Sequence, residues 1–272
     1  MPAAELDWAD LIALASAHLP TLPLALWGVG AGALAGWVKG FAGFGFSALC
    51  IAGLAVVVSP AQVVPAVLLL EALTSVLLWR GSLQQIHKEW LKVLLITNAV
   101  GIPLGVVLLL STDGVGLRMG VAMLLLAGAL GLRWFGRRAW SDTVRLRWNA
   151  GTVAALFNGV AASGGVVTAL IMTAVNIPAV QLRASMIVVL LFSSAHIFLC
   201  IALVSWFQHG QVTWWSGASL GWVLPLTLGM APGLLYGRRH FVRHVGFNYR
   251  ELVLNLLTVL SILGVGINAL QL

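Results

Sequence analysis

Apolar residues run through this chain in blocks rather than in stripes. Stretches free of Asp, Glu, Lys and Arg cover 11–38, 40–70, 93–112, 148–182, 184–237 and 252–272. A helix needs about 20 such residues to cross a bilayer. Membrane crossings are therefore expected near 61–80, 92–111, 116–134, 182–206, 213–236 and 250–271. Two further apolar segments, 22–58 and 148–176, do not read as one simple helix, because glycines interrupt each of them mid-way. Ahead of them, residues 1–20 read as a surface element. Trp8, Leu11, Ile12 and Ala15 share one face of a short amphipathic helix over 5–18 that lies on the membrane.

Composition agrees with this pattern and narrows it. Of the 272 residues, 60% are hydrophobic and 8% are charged, whereas a soluble domain carries roughly 25% charged residues. A soluble enzyme, a disordered chain and a disulfide scaffold are all excluded. The two cysteines, Cys50 and Cys200, lie in apolar stretches and are expected as free thiols. The net charge of +7 does not point to nucleic acid, because the basic residues cluster in short loops between spans, as topogenic charges do. Glu5, Asp7 and Asp10 make the N-terminus acidic, the opposite of a signal-peptide start.

The basic loops fix an orientation. Arg80, Lys88 and Lys92 mark one cytoplasmic loop. Arg133, Arg137, Arg138, Arg145 and Arg147 mark a second, within a linker assigned to 135–147, and Arg238, Arg239, Arg243 and Arg250 mark a third. The connections near 111–116 and 206–213 lack Lys and Arg and belong outside. Counting crossings, 22–58 starts and ends outside, while 148–176 starts and ends inside. The expected fold is an all-α integral membrane protein with two inverted repeats, 22–134 and 148–271. Each repeat is a glycine-broken re-entrant hairpin plus three transmembrane helices, which is a secondary-transporter plan. Both termini then lie outside the cytoplasm. Internal similarity supports the repeat: Lys39-Gly40-Phe41-Ala42-Gly43 parallels Asn158-Gly159-Val160-Ala161-Ala162, and Ser59-Pro60-Ala61 parallels Ile177-Pro178-Ala179. Further along, Gly101 to Gly105 parallels Gly229 to Gly233.

The glycines have two readings. Gly28, Gly32, Gly36 and Gly40 recur every four residues, as in a helix-packing ridge. Gly40, Gly43 and Gly45, and likewise Gly159, Gly164 and Gly165, fall where a helix would break. A half-helix N-terminus at such a break presents free N–H groups to an anion. These hairpins, followed by Ser59-Pro60 in the first half and by Asn176-Ile-Pro178 with Arg183 in the second, resemble the TauE/SafE sulfite-exporter family over about 22–271. The resemblance implies transport of sulfite or small organosulfonates across a bacterial inner membrane. This chain departs from the family's commoner, more glycine-rich first hairpin: Lys39 precedes it, and Phe44 and Phe46 interrupt it.

Ionisable groups at apolar depth are costly unless paired, so they mark candidate chemistry. Lys39 is either a substrate ligand or a snorkelling side chain. Glu71 is a partner for Lys39, a proton carrier or a neutral acid. His196 is a second proton-carrier candidate or a packing residue. Arg183 is topogenic, or its guanidinium fork grips a sulfonate. Asn158 and Ser163 cap a broken helix or donate to an oxyanion, with Gly164 beside them, and Thr168, Asn98 and Gln62 are weaker candidates of the same type. Phe44 and Phe46 fit a substrate with some apolar surface, unless they face lipid. The substrate-site set is thus Lys39, Gly40, Gly43, Phe44, Gly45, Asn158, Ser163, Gly164 and Arg183. No protease, hydrolase, metal or nucleotide motif occurs, and neither an enzyme nor a cofactor or metal is expected. An anion channel or non-catalytic membrane scaffold is the alternative to a transporter. An intramembrane enzyme is the weaker one, since it needs a nucleophile–base pair or two apposed carboxylates. The partners expected are a small anion and lipid, with a homodimer left open and no nucleic acid.

Overall fold

The structure is a computed structural model. It describes residues 19–54, 57–58, 60–111, 140–161, 164–207 and 217–243, with isolated helical positions between 123–130 and 251–266. The surface helix expected over 5–18, Ser163, most of the crossings at 116–134 and 250–271, and the connections at 112–116 and 208–213 lie outside the described residues.

Eight helices and one 3₁₀ turn, with no strand, make up the described part. They are α1 (Leu22–Ala42), α2 (Phe46–Leu54), α3 (Pro60–Trp79), α4 (Lys88–Ser111), α5 (Val144–Ala161), α6 (Gly164–Ala174), α7 (Ala179–Phe207) and α8 (Gly217–Arg243), with the 3₁₀ turn at Leu83–Gln85. Among the described residues, five segments are long and apolar enough to cross a membrane: Leu22–Ala42, Gln62–Trp79, Lys88–Val107, Ala179–Cys200 and Gly217–Arg243. At about 1.5 Å rise per residue, α1 with 21 residues spans roughly a full hydrocarbon core. Helices α2 and α6, with 9 and 11 residues, span about half of one.

Local chemistry sets the breaks. α1 ends at Gly43, whose φ of 85° is left-handed and whose N–H donates to Lys39 O at 2.9 Å. Gly45 follows at φ 89°. Two positive φ values in three residues turn the chain sharply at no steric cost to glycine. Gly40, expected at the break, instead lies inside α1. Its carbonyl and Cα are covered by neighbouring helices, so the helix continues past it. α6 stops at Asn176, with φ 56°, where Asn176 N–H reaches Thr173 O and Ile177 N–H reaches Met172 O. Those two bonds form a Schellman stop, and Pro178 then begins the turn into α7. The linker expected to end at 147 is already helical from Val144.

Close backbone contact through small residues holds the helices together. α1 runs along α8, and α4 runs along α5; these are the two most extensive pairings, and α3 packs on α7. A Cβ placed on Gly36 would come within 2.6 Å of Met230 O, and one on Gly105 within 2.5 Å of Leu156 O. Lipid tails are as apolar as leucine, so tight van der Waals contact, rather than water exclusion, drives this association. The opposite faces carry exposed large apolar residues, such as Ile96, Val100, Leu104 and Val107 on α4.

One polar cluster ties the starts of α4 and α5 together. Arg147 donates to Asp142 through Nε at 2.8 Å and Nη2 at 2.9 Å, and also pairs with Glu89. Trp90 Nε1 donates to Asp142 at 3.3 Å. The Arg147 hydrogen bonds hold the Asp142 carboxyl below the usual carboxylate range. Arg147, one of the loop cations in the sequence, therefore has two carboxylates as partners.

Candidate functional site

The α1–α2 break assembles the one buried charge pair among the described residues. Lys39, in the last turn of α1, is fully buried, and Glu71 on α3 is 2% exposed. Lys39 Nζ forms an ion pair with Glu71 Oε1. The other carboxylate oxygen, Oε2, accepts the backbone N–H of Ser47 at 2.9 Å. Ser47 is the second residue of α2, and its N–H is one of the donors that a helix start leaves without an intrahelical acceptor. The glycine turn thus aims a helix N-terminus and a lysine ammonium at the same two oxygens. Glu71 lies mid-way along the apolar α3, eight residues before its end at Trp79, about 12 Å of helix.

Arg183, in the second turn of α7, closes the tip from the other half of the chain. Its Nε and Nη2 donate to Gly40 O at 3.1 and 2.8 Å, and its guanidinium lies 4.6 Å over the ring of Phe241. A cation at the carbonyl end of a helix is favourable. A Cβ on Gly43 would approach Arg183 O to 2.7 Å, so only glycine lets α7 come this close. Arg183 acts here as a latch on the end of α1, a role beyond the two read from sequence. Phe44 and Phe46 are both fully buried in the main core, so neither faces lipid.

The α5–α6 break is built from neutral groups. Asn158 on α5 donates through Nδ2 to Asn98 Oδ1 at 3.3 Å, and Asn98 donates to Leu94 O at 2.6 Å. Gly164 is buried, and a Cβ there would lie 2.6 Å from Asn158 Cβ. Thr168 Oγ1 donates back to Gly164 O at 3.0 Å, and Gln62 is exposed. His196 is half-buried on α7 and lines a recess of about 390 Å³ between α4 and α7, with Asn98, Phe192 and Ser193.

The structure therefore joins Lys39 to Glu71, places Arg183 beside them, and groups Asn158 with Asn98 and His196 with the α4–α7 recess. Two groups near the pair were not singled out from the sequence. The Ser47 contribution is a backbone N–H, which any residue type supplies. Ser75 lies one helical turn beyond Glu71 on α3 and is fully buried with no hydrogen-bond partner; its spacing of four residues from Glu71 was its only mark.

The sequence pattern of one family, Sulfite exporter TauE/SafE, matches residues 28–267. The chain belongs to that family. Both breaks, the Lys39–Glu71 pair and Arg183 fall inside the matched region. This TauE/SafE protein is accordingly a multi-pass membrane protein of a transporter family, with an anion and lipid as its partners. No curated protein and no solved structure gives a significant match.

Proposed function

We propose that this TauE/SafE protein is a secondary transporter of a small sulfur oxyanion, sulfite or an organosulfonate, in a bacterial inner membrane. The observation that carries the reading is the cradle at the α1–α2 break. Lys39 Nζ and the Ser47 N–H converge on one carboxylate there, and two carboxylate oxygens are spaced much like two oxygens of a sulfonate. Gly43 and Gly45 shape the turn, and Gly40 lets α8 close behind it. Phe44 and Phe46 give the cradle an apolar wall. Asn158, Ser163 and Gly164 supply uncharged donors from the second half, and Arg183 completes the positive field. Glu71 and His196 are the proton-handling candidates.

The packing supports an inverted repeat. α1 meets α8 and α5 meets α4, so the first helix of each half lies along the last described helix of the other, through glycines on both crossings. Alternating access then rocks one half against the other about the breaks. In this arrangement both termini are non-cytoplasmic.

Isothermal titration of purified protein with sulfite, isethionate and toluenesulfonate tests the reading. Wild type binds at least one of them. Lys39→Met weakens that binding tenfold or more, about 1.4 kcal/mol, while the protein stays folded, because Glu71 takes a proton once its cation is gone. Unchanged affinity in folded Lys39→Met removes Lys39 from the site, and absence of binding to every anion in the panel removes the function.

A further inference from the structure

We propose that the Glu71 carboxylate is a tethered competitor of the substrate, so that each monoanion binds only as Glu71 takes up one proton. The proposal rests on the oxyanion reading above and specifies how that site is emptied and filled.

The geometry carries the argument. Glu71 uses one oxygen on the Lys39 ammonium and the other on the Ser47 N–H. These are the two donors at the break best suited to an incoming oxyanion, and Glu71 occupies both. Lys39 and Glu71 are 0% and 2% exposed, so water does not screen them. Arg183 stands apart from this balance, because its guanidinium is part-buried and engaged by the Gly40 carbonyl and the Phe241 ring. Across the buried pair itself, a second anion entering beside ionised Glu71 would leave a net negative charge. Protonating Glu71 with no anion present would leave Lys39 as an unpaired buried cation. Either state is strongly unfavourable in a low dielectric. Only the concerted exchange keeps the charge on the buried Lys39 site balanced: the carboxylate becomes a carboxyl, and the sulfonate takes over the Lys39 and Ser47 hydrogen bonds.

Glu71 is the one carboxylate among the described ionisable groups around this pair. The ionisable groups facing this pair from the packed elements are Lys39 on α1, Cys50 on α2 and Arg183 on α7. α8 carries Tyr236, Arg238, Arg239, His240 and Arg243, with the His240 ring against those of Trp37 and Phe41 of α1 rather than on the pair. A place for the released carboxyl also exists. The unpartnered, fully buried Ser75 hydroxyl lies one turn along α3, and helical side chains lean toward the preceding turn. Loaded and empty cradles then carry the same charge. Movement of the loaded protein is electroneutral, and a pH gradient rather than the membrane potential drives net flux of a sulfonate.

Two measurements on the full-length protein decide it, with isethionate or toluenesulfonate as ligand, since both stay monoanionic across pH 5–8. Isothermal titration in buffers of different ionisation heat counts protons. Wild type is expected to take up about one per anion, with affinity falling about tenfold per pH unit where Glu71 is ionised. Glu71→Gln is expected to bind with no proton uptake, no pH dependence and higher affinity than wild type at pH 8. In wild-type proteoliposomes, an imposed potassium-diffusion potential leaves the sulfonate flux unchanged, and an imposed pH gradient drives accumulation. Binding without proton uptake in wild type overturns the exchange while leaving the oxyanion site standing. Sulfonate flux that follows the potential overturns it as well, even if Glu71→Gln does not fold. Failure of wild type to bind either sulfonate removes both the exchange and the reading beneath it.

Discussion

The two helix breaks share a plan and differ in chemistry. In each, a long helix is followed by a short apolar one packed against it, and each is contacted by a residue from the other half of the chain. Arg183 of α7 reaches the first break, and Asn98 of α4 reaches the second. Yet the first break holds a buried ion pair, Lys39 with Glu71, whereas the second holds a pair of neutral amides, Asn158 with Asn98. In the proposed monoanion site, Lys39 is the fully buried cation and part-buried Arg183 stands beside it. A lysine at both breaks would leave a surplus positive charge whenever the site was empty, and a buried unpaired charge costs several kcal/mol. On the proposed reading, concentrating ionic chemistry at the first break lets the second contribute orientation and hydrogen bonds without that cost.

The largest expected effect comes from what the halves have in common. Gly36→Val on the α1–α8 crossing and Gly105→Val on the α4–α5 crossing each drive a side chain into a neighbouring carbonyl, Met230 O or Leu156 O. Helix backbones cannot move aside without losing the whole crossing. Both variants are expected to lose the monodisperse peak in size-exclusion chromatography. If one half tolerates its substitution and the other does not, the crossings are not equivalent. Next in size is converting the first break into the second. Lys39→Asn with Glu71→Gln replaces an ion pair by amides and leaves no orphan charge. This double variant is expected to fold and to bind sulfonate at least tenfold more weakly, about 1.4 kcal/mol, as read by isothermal titration. Retained affinity would shift the anion site toward the second break.

Part of this contrast was legible before any coordinates. Lys39 and Glu71 stand out because charge is rare within apolar stretches, and pairing was one of three sequence readings for Glu71. The four-residue spacing of Gly28, Gly32, Gly36 and Gly40 announced a packing ridge, and α8 lies against it. Other features were silent for physical reasons. The Ser47 N–H and the Gly40 carbonyl are backbone groups, so no residue type marks them. Phe44 and Phe46 could not be assigned to core or lipid, because both environments accept an aromatic ring equally well. Gly40 belonged to both readings, the ridge and the break, because glycine serves close packing and left-handed turns alike; the φ values mark Gly43 and Gly45 as the turn and leave Gly40 in the ridge.

The amide pair of the second break gives the next, smaller effect. Asn98→Leu removes the acceptor of Asn158 Nδ2 and leaves that amide buried without its partner, at a cost of about 1–3 kcal/mol. Thermal unfolding in detergent is expected to move down by several degrees, while proton uptake on sulfonate binding stays as in wild type. A change in the proton count would join the two breaks into one titrating unit and blur the contrast drawn between them.

The smallest effect sharpens the contrast from outside the membrane-spanning segments, where a pair of the same charge type meets water. Asp142 and Glu89 share Arg147 between the starts of α4 and α5, and Arg147 holds the Asp142 carboxyl below its ordinary range. A carboxyl lowered on folding contributes stability above its unfolded value, about pH 3.9, and that contribution fades as pH falls through the lower folded value. The pair is partly exposed and screened, so its worth is about 0–1 kcal/mol. Asp142→Asn is therefore expected to unfold slightly below wild type at pH 7, with the gap closing below about pH 4 and shrinking in high salt. The Lys39–Glu71 pair, closed to water, should show no comparable salt dependence when Lys39→Asn/Glu71→Gln is compared with wild type in the same thermal series. Equal salt sensitivity at both pairs would mean that water reaches Glu71, and the neutrality argument for the first break would lose its low dielectric.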